Sequence, residues 1–281
     1  EKVTVALSGD GGDELFGGYN RYVLGKQMWK KISYLPLNLR KLISNIIFKI
    51  PPDTYNSFFN QIFKFLPLKS TYSNLGDKLH KGSRVMVAED IEDLYNLFIS
   101  HWPNINEIMN SQEEDLFNKI KFLKDIESDD FVFKMMATDI SHYLPDDILC
   151  KVDRAAMACS LETRLPMLDH KVVEFALTIP MNLKLRNNLG KWILREVLYK
   201  YLPKNIIERP KMGFGIPVGK WIRGPLLDWS EDLLSKNRII NQSYFNFDTI
   251  QKYWLEHKSG KKNWATSLWG ILMFQEWLSN Q

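Results

Sequence analysis

The pattern of apolar and polar positions predicts one short strand followed by many helices. Residues 2–7 read KVTVAL, a brief β-branched run that soon meets glycine, which is typical of a buried strand. Downstream, apolar residues recur at helical spacing and prolines punctuate the periodic segments. The predicted helical segments read GDELFGGYNRYVLGKQMWKKI, RKLISNIIFKI, IEDLYNLFISHW, DFVFKMMATDISHYL, KWILREVLYKYL and WATSLWGILMFQEWL.

The predicted strand at residues 2–7 needs partners, because a single strand leaves its backbone hydrogen-bonding groups unsatisfied. Other extended segments are scarce in the chain. The partners come either from another chain or from a region upstream of residue 1 in an α/β domain. We favour the upstream region, and we therefore expect the chain to begin in the middle of a fold.

Five glycines and three carboxylates crowd into residues 7–22, LSGDGGDELFGGYNRY. Glycine after a buried strand permits a tight turn and a close approach of the backbone to a ligand, and a following helix N-terminus favours an anion. The acids Asp13 and Glu14 either cap the helix or hold Mg²⁺ against a phosphate, and a carboxylate here could also act as a base. The segment is not a dinucleotide fingerprint, because Glu14 stands where that motif requires glycine.

A second charged stretch, residues 144–177, interleaves acidic and basic side chains with small residues. Small residues let helices approach closely, so we expect the polar groups among them to be partly buried and paired. One interpretation is an internal salt-bridge network in which Arg164 holds Glu162 or Asp153. The other is a contribution to a functional site.

A lysine follows glycine at the start of a later predicted helix. Lys191 would oppose the helix dipole there, at a cost of a few tenths of a kcal/mol or more. Together with free backbone N–H groups it would form a phosphate or pyrophosphate clamp, with Arg195 one turn further on. A solvent-facing lysine is the alternative. Residues 208–221, ERPKMGFGIPVGKW, predict either a mobile loop that closes over a charged ligand or an ordinary connection.

Composition and charge narrow the classes of function. The 281 residues are 45% hydrophobic and 25% charged, as in ordinary globular proteins, and the net charge of +4 is not gathered into one stripe, so nucleic acid is not an expected partner. No apolar run approaches the roughly eighteen residues of a membrane span, and no signal peptide is expected. Only two cysteines occur, Cys150 and Cys159, without a CxxC pair, which favours a reducing, cytoplasmic compartment.

Three stretches, in this order, carry a family resemblance: SGDGGDELFGGYNRY, DRAAMACSLETRLPMLDHKVVEFA, and GKWILREVLYKYLP followed by RPKMGFGIP. Together they resemble the synthetase domain of glutamine-dependent asparagine synthetases. The resemblance runs from residue 8 to about residue 221 and is weakest over about 42–128. It implies an α/β fold of the adenine-nucleotide α-hydrolase type, mostly helical here with a short residual parallel sheet, in which residues 1–281 form the C-terminal part of the synthetase domain.

The resemblance also implies a reaction. ATP adenylates the side-chain carboxylate of aspartate and releases pyrophosphate with the help of Mg²⁺, and ammonia then attacks the acyl-adenylate to give asparagine and AMP. The ammonia comes from glutamine through a separate N-terminal glutaminase domain. The implied partners are therefore small-molecule substrates and that domain, with a homodimer left open. Such chemistry requires stabilisation of charge on the departing pyrophosphate and a base for the ammonia proton.

The resemblance assigns roles by motif position. Asp10 takes the place of the acidic base or intermediate-binding residue, Asp13 that of the carboxylate that holds pyrophosphate and Mg²⁺, and Lys191 that of the lysine that holds phosphate in the transition state. The remaining positions line the nucleotide loop (Ser8, Gly9 and Gly11), lie in the loop that covers the site (Lys211) or have a supporting role (Arg154, Glu162, Arg164 and Arg195).

Two departures from the family pattern qualify this assignment. Many asparagine synthetases carry Glu at the position of Asp10, whose side chain is one methylene shorter, and this leaves open a different acceptor such as a sugar or peptide acid, or lactam closure. The family's SGGxDS loop and glutaminase cysteine would both precede residue 1. We therefore expect a fragment that makes little or no asparagine by itself. A non-catalytic helical binding module is a third interpretation.

Overall fold

A computed structural model provides the structure of this chain. It describes residues 3–62, 75–102, 104–110, 126–209 and 215–281. These residues fall into two compact units. The first unit comprises Glu1–Ser33 and Ile120–Met212, and the second comprises Tyr34–Lys119 and Gly213–Gln281.

Helices dominate the described residues, and the strands β1 (Val5–Leu7) and β2 (Glu162–Arg164) form a small sheet. In chain order the α-helices are α1 (Gly12–Phe16), α2 (Asn20–Ile32), α3 (Leu37–Lys49), α4 (Pro52–Ile62), α5 (Leu75–Met86), α6 (Ile91–Ile99), α7 (Phe131–Thr138), α8 (Cys150–Met157), α9 (His170–Thr178), α10 (Met181–Lys184), α11 (Trp192–Leu198), α12 (Lys204–Ile207), α13 (Val218–Arg223), α14 (Leu227–Leu233), α15 (Lys236–Gln242), α16 (Phe247–Lys258) and α17 (Ala265–Ser279). The predicted α/β class, mostly helical with a short parallel sheet, is confirmed.

The sheet of the first unit joins the two sequence motifs. Strands β1 and β2 are parallel, with Val5 opposite Glu162 and Leu7 opposite Arg164. The expectation that the partner of β1 lies outside this chain is therefore wrong for this edge of the strand. A three-residue strand such as β2 is too short to produce a periodic signal in the sequence, so only the tertiary structure reveals it.

Two helical predictions in the first unit change in detail. The segment after the glycine loop does not form one helix, because Gly17 adopts a left-handed conformation (φ 71°) and ends α1 before α2 begins. Helices α7 and α8 are joined by a π-helical segment, Asp139–Leu149, that contains Pro145. Proline lacks an N–H and cannot continue the α-helical bonding pattern, so the wider turn occurs where the helix must accommodate it.

The hydrophobic core of the first unit lies where α1 meets α9. Leu15 and Phe16 of α1 pack against Ala176 and Ile179, and all four are buried. Because successive helical residues point about 100° apart, the acidic residues of α1 point in other directions than the two residues that form this core. The core therefore fixes the orientation of the helix that carries the first motif.

The second unit has a larger, aromatic-rich core. Its helices α13 to α17 bury a continuous set of side chains that includes Ile222, Leu268 and Leu272, and the rings of Tyr253 and Trp264 meet edge to face at 4.4 Å. A buried arginine, Arg40, links α3 to the end of α5 by donating to the backbone carbonyls of three residues, Leu35, Met86 and Ala88. Across the described residues, the helices lack the length and apolar character that crossing a bilayer requires.

The second unit also buries a histidine. His257 on α16 is 0% exposed, and its Nδ1 accepts hydrogen bonds from Arg223 Nη2 (3.1 Å) and from the Trp264 backbone N–H (3.2 Å). Burial, reinforced by the positive charge of Arg223, lowers the pKa of the His257 imidazole from 6.5 to about 4. The ring is therefore neutral at physiological pH and accepts at Nδ1.

This histidine predicts a pH-dependent stability. The folded state binds the imidazole proton more weakly than the unfolded chain does, so His257 contributes fully above pH 6.5, and its contribution declines as the pH falls toward 4. The size of the shift corresponds to about 3 kcal/mol in the free energy of unfolding. Urea unfolding between about pH 7 and pH 4 measures the free energy of unfolding across this window. This free energy should fall less steeply with decreasing pH in His257→Asn than in the parent chain. His170→Asn, at an exposed histidine, is the matched control and should retain the parent slope. Parallel declines in all three proteins would contradict the assignment.

Candidate active site

The first motif and the predicted lysine meet in the first unit. Lys191 Nζ lies 3.0 Å from Asp13 Oδ1, and the two side chains are 28% and 34% exposed. Both groups can therefore reach a ligand from solvent while they contact each other. The structure thus brings together two residues that the sequence analysis assigned to one phosphate site.

The backbone around Lys191 holds this position under strain. Lys191 is the N-cap of α11 with φ 57°, a left-handed conformation that is uncommon for a residue with a side chain. Its backbone N–H donates to the Phe16 carbonyl at 2.9 Å. A Cβ atom on Gly190 would lie 2.1 Å from the Gly17 carbonyl oxygen, so only glycine allows this approach. As the N-cap, Lys191 lies just before α11 and not in the first helical turn, where the sequence predicted it.

Asp13 is positioned by the turn that follows β1 and by the glycines after α1. Its helix begins at Gly12 after the left-handed residue Gly11 (φ 84°), which provides no side-chain cap. A Cβ atom on Gly18 would lie 1.8 Å from Asp13 Oδ1 and 2.4 Å from Lys191 Cε. The absence of a side chain at Gly18 therefore leaves the space in which the Asp13–Lys191 pair forms.

Asp10 lies in the turn between β1 and α1 and is partly exposed. The Ser8 hydroxyl donates a hydrogen bond to Asp10 Oδ2, and the Ser8 backbone N–H donates to the Arg164 carbonyl at 2.9 Å. Gly9, in the same turn, is exposed and has open space around its Cα. The turn therefore has a carboxylate oriented by a hydroxyl group, next to backbone that a ligand could approach.

The supporting residues of the second motif do not form a buried network. Arg164 and Glu162 pair at 2.5 Å, as one interpretation predicted, but their side chains are 66% and 51% exposed. Arg154 on α8 is also exposed. The expectation of partial burial is wrong for these residues, because in the described part of the chain β2 has β1 as its one strand neighbour and its outward side chains reach solvent. An exposed pair of this kind contributes little to stability.

The other two predicted cations have different outcomes. Arg195 does not reach Asp13, and its Nε donates to the Gly190 carbonyl at 3.0 Å. This bond holds the backbone that precedes Lys191. Lys211, predicted in the covering loop, lies outside the described residues.

A buried acid lies next to Asp13 along the chain and was not predicted as such. Glu14 is 1% exposed and accepts a hydrogen bond from the Tyr19 hydroxyl, so it does not cap α1. Burial raises the pKa of Glu14, partly offset by the bond from Tyr19, and burial also raises the pKa of the Tyr19 hydroxyl. A first-turn acid normally faces solvent, so the sequence pattern contained no signal for this environment.

An arginine completes the polar cluster behind α1. Arg21 pairs with the buried Asp139 at 2.8 Å, and its guanidinium lies 4.2 Å from the Tyr19 ring centroid and 4.9 Å from that of Tyr143. The Tyr22 hydroxyl also donates to Asp139. These contacts link α2 to the π-helical segment, and Tyr19, which bonds Glu14, connects them to α1. They therefore stabilise the surroundings of the site without reaching it. The sequence analysis missed them, since charges and tyrosines spaced along a helix also suit a solvated face.

The donor set around Asp13 suits one kind of metal site. In the residues the structure describes, His, Cys, Asp and Glu side chains do not gather into groups of three or more that could hold a metal. Mg²⁺, however, is commonly held by one or two carboxylates together with substrate phosphates and water. Asp13 therefore fits a phosphate-bridged Mg²⁺ but not a site formed by protein ligands alone.

The short helices contribute little to anion binding. Helices α1 and α11 span five and seven residues, so the clamp envisaged at a helix N-terminus depends on the Lys191 ammonium instead. An ammonium beside a single carboxylate can bind phosphate oxygens while the carboxylate binds their counterion. The arrangement is therefore suited to a phosphorylated ligand with a bound divalent cation.

Comparison with known proteins places this geometry in a family. The asparagine synthase family model matches residues 1–279. Asparagine synthetase [glutamine-hydrolyzing] 1 of Bacillus subtilis is 28% identical over 278 residues, which cover 99% of this chain and 40% of that protein. A putative asparagine synthetase [glutamine-hydrolyzing] of Mycobacterium tuberculosis is 27% identical over 276 residues, covering 98% and 39%.

Another relative matches a shorter region. The asparagine synthetase [glutamine-hydrolyzing] of Mus musculus is 31% identical over 139 residues, covering 44% of this chain and 24% of that protein. No solved structure matched the chain. The chain spans about 40% of the length of the bacterial relatives that it matches end to end.

The family match over residues 1–279 includes both strands of the parallel pair and both residues of the Asp13–Lys191 contact. The chain belongs to the asparagine synthase family and has its adenine-nucleotide α-hydrolase-like fold.

Proposed function

We propose that this chain contributes the synthetase site of an ATP-dependent amide ligase that converts aspartate to asparagine. The observation that carries the proposal is the 3.0 Å contact between Lys191 Nζ and Asp13 Oδ1 in a partly exposed site next to the glycine turn. The names of the relatives, all glutamine-hydrolysing asparagine synthetases, support aspartate as acceptor and glutamine as the source of ammonia. We place the reaction in the cytoplasm and the release of ammonia in an N-terminal glutaminase domain.

In the first step, an oxygen of the aspartate side-chain carboxylate attacks the α-phosphorus of ATP. The bond to the bridging oxygen breaks, and pyrophosphate leaves with the electron pair. Lys191 binds the phosphate oxygens and stabilises the charge that develops on them. Mg²⁺ bound through Asp13 would neutralise the remaining phosphate charge.

The contact between Lys191 and Asp13 suits an exchange of partners. An ion pair with about a third of each side chain exposed contributes about 0 to 1 kcal/mol to stability, so little is lost when it opens. Pyrophosphate would then take the ammonium of Lys191, and its cation would take the carboxylate of Asp13. The pair thus keeps both groups oriented before the substrate binds.

In the second step, ammonia attacks the carbonyl carbon of the aspartyl-adenylate, and AMP leaves with the electron pair of the acyl–oxygen bond. The nitrogen must lose a proton, and Asp10 is the proposed base. The bond from the Ser8 hydroxyl orients this carboxylate. Asp10 has a shorter side chain than the Glu found in many family members. Amidation of another carboxylate is therefore the alternative outcome of the turnover experiment.

Binding of pyrophosphate by this chain tests the clamp. Isothermal titration in millimolar Mg²⁺ should detect binding that weakens about tenfold or more in Lys191→Ala. Asp13→Asn should bind with little dependence on Mg²⁺. Lys151→Ala, at an exposed lysine of α8, removes the same charge and should bind as the parent does. An affinity and a stoichiometry of pyrophosphate binding that are both unchanged in Lys191→Ala would overturn the clamp.

Turnover by the intact protein tests the reaction. With ATP, glutamine and aspartate, Asp13→Asn should lower kcat/KM by about 10² to 10³, while its melting temperature changes little because the ion pair is partly exposed. Asp228→Asn, at an exposed aspartate of α14, is the matched control. Normal turnover in Asp13→Asn would refute its role. Failure to form asparagine, together with amidation of a sugar or peptide acid, would show that the acceptor differs.

A further inference from the structure

A cavity of about 520 Å³ in the second unit is lined mainly by cations. Among the described residues, Asp77 is the one acidic residue that lines the cavity. Five basic side chains surround it: Lys81, Arg84, Lys220, Arg223 and Lys262. None of these residues belongs to the site formed by Asp13 and Lys191, and the inference below does not depend on the proposed function.

Among the described residues, most of this positive charge has no carboxylate partner. Lys262 pairs with Glu256 at 3.1 Å, and Asp77 accepts a bond from Asn263 at 3.3 Å. In the part of the chain that the structure describes, no carboxylate lies within ion-pair distance of the other four cations, Lys81, Arg84, Lys220 and Arg223. Like charges around one cavity repel each other, so an anion bound there would stabilise the unit.

The two arginines show this imbalance most clearly. Burial lowers the pKa of the Arg84 guanidinium, and its hydrogen bond is a long one of 3.5 Å to the His101 carbonyl. Arg223 donates to His257 Nδ1 at 3.1 Å, and that ring is neutral because its pKa is about 4. Each guanidinium is therefore partnered by neutral groups. Arg84 is partly buried and Arg223 is exposed, and a guanidinium gains more from an anionic acceptor than from a neutral one, so both side chains have hydrogen-bonding capacity suited to an external anion.

The geometry favours phosphate over other anions. Guanidinium groups match the oxygens of phosphate with paired hydrogen bonds, and the lysines add compact positive charges. The fifteen-residue helix α17 begins at the cavity with Ala265 and Thr266, and its dipole adds further positive potential. The volume is typical of a small-molecule site, and Trp269 provides part of an apolar wall. Four unbalanced cations exceed what a monocarboxylate would neutralise.

We propose that this cavity is a binding site for a small phosphate-bearing anion. Its lining includes residues 216–220, part of the segment 208–221 for which the sequence predicts either a loop that closes over a charged ligand or an ordinary connection.

Direct binding measurements test the site on this chain. The Lys191→Ala variant removes the clamp of the first unit, and isothermal titration of pyrophosphate, of AMP and of acetate at constant ionic strength then reports on the remaining site. We expect pyrophosphate or AMP to bind and acetate not to bind. A preference for AMP would indicate that the wall contacts the base, and a preference for pyrophosphate would indicate recognition through phosphate alone.

The decisive comparison uses two double variants in that background. Lys81→Gln with Lys220→Gln removes two exposed cations of the cavity, and we expect at least a tenfold loss of phosphate affinity. Lys78→Gln with Lys252→Gln removes two exposed lysines of α5 and α16 outside the cavity and should change affinity less than twofold. Equal losses in the two variants, equal binding of acetate, or no binding at millimolar ligand would each overturn the proposal. Thermal unfolding of both variants checks that they remain folded.

Discussion

The first unit depends on the close approach between the backbone before α11 and the end of α1. Gly190 lies so near the Gly17 carbonyl that any side chain there would collide with it, and the Lys191 N–H bonds the neighbouring Phe16 carbonyl. This contact fixes Lys191 in a left-handed conformation, which places its ammonium on Asp13. A strained residue persists only where surrounding contacts over-determine it. The strained backbone of Lys191 is therefore part of the contact that brings together two motifs far apart in the sequence.

Neighbouring acids on α1 have opposite environments because the helix turns about 100° per residue. Asp13 faces a partly open site and an ammonium group, whereas Glu14 points into the unit and accepts a bond from Tyr19. Behind it, Arg21 pairs with the buried Asp139 and is flanked by tyrosine rings. Because this inner layer is paired and packed, it can hold α1 rigidly while the outer acid stays available for a ligand.

Positively charged side chains have different kinds of partners in the two units. In the first, Lys191 has a carboxylate partner that a phosphate and its cation could replace together. In the second, Arg84 and Arg223 have only neutral partners among the described residues, so an anion could bind there without displacing a described acid. The buried aromatic core of the second unit makes this arrangement tolerable, since packing of α13 to α17 supplies stability that the unbalanced charges reduce.

The sequence by itself determined the fold class and most of the helices and pointed to Asp13 and Lys191, which the structure brings into contact, because apolar periodicity and glycine-rich turns are local signals and three long motifs occurred in a specific order. It did not reveal β2, whose three residues are too few to show a period, or the burial of Glu14. Only the tertiary structure decided these, and it also placed Arg84 and Arg223 of the second unit around one cavity. Which side chains share a pocket depends on contacts between segments far apart along the chain, and no local pattern encodes those contacts.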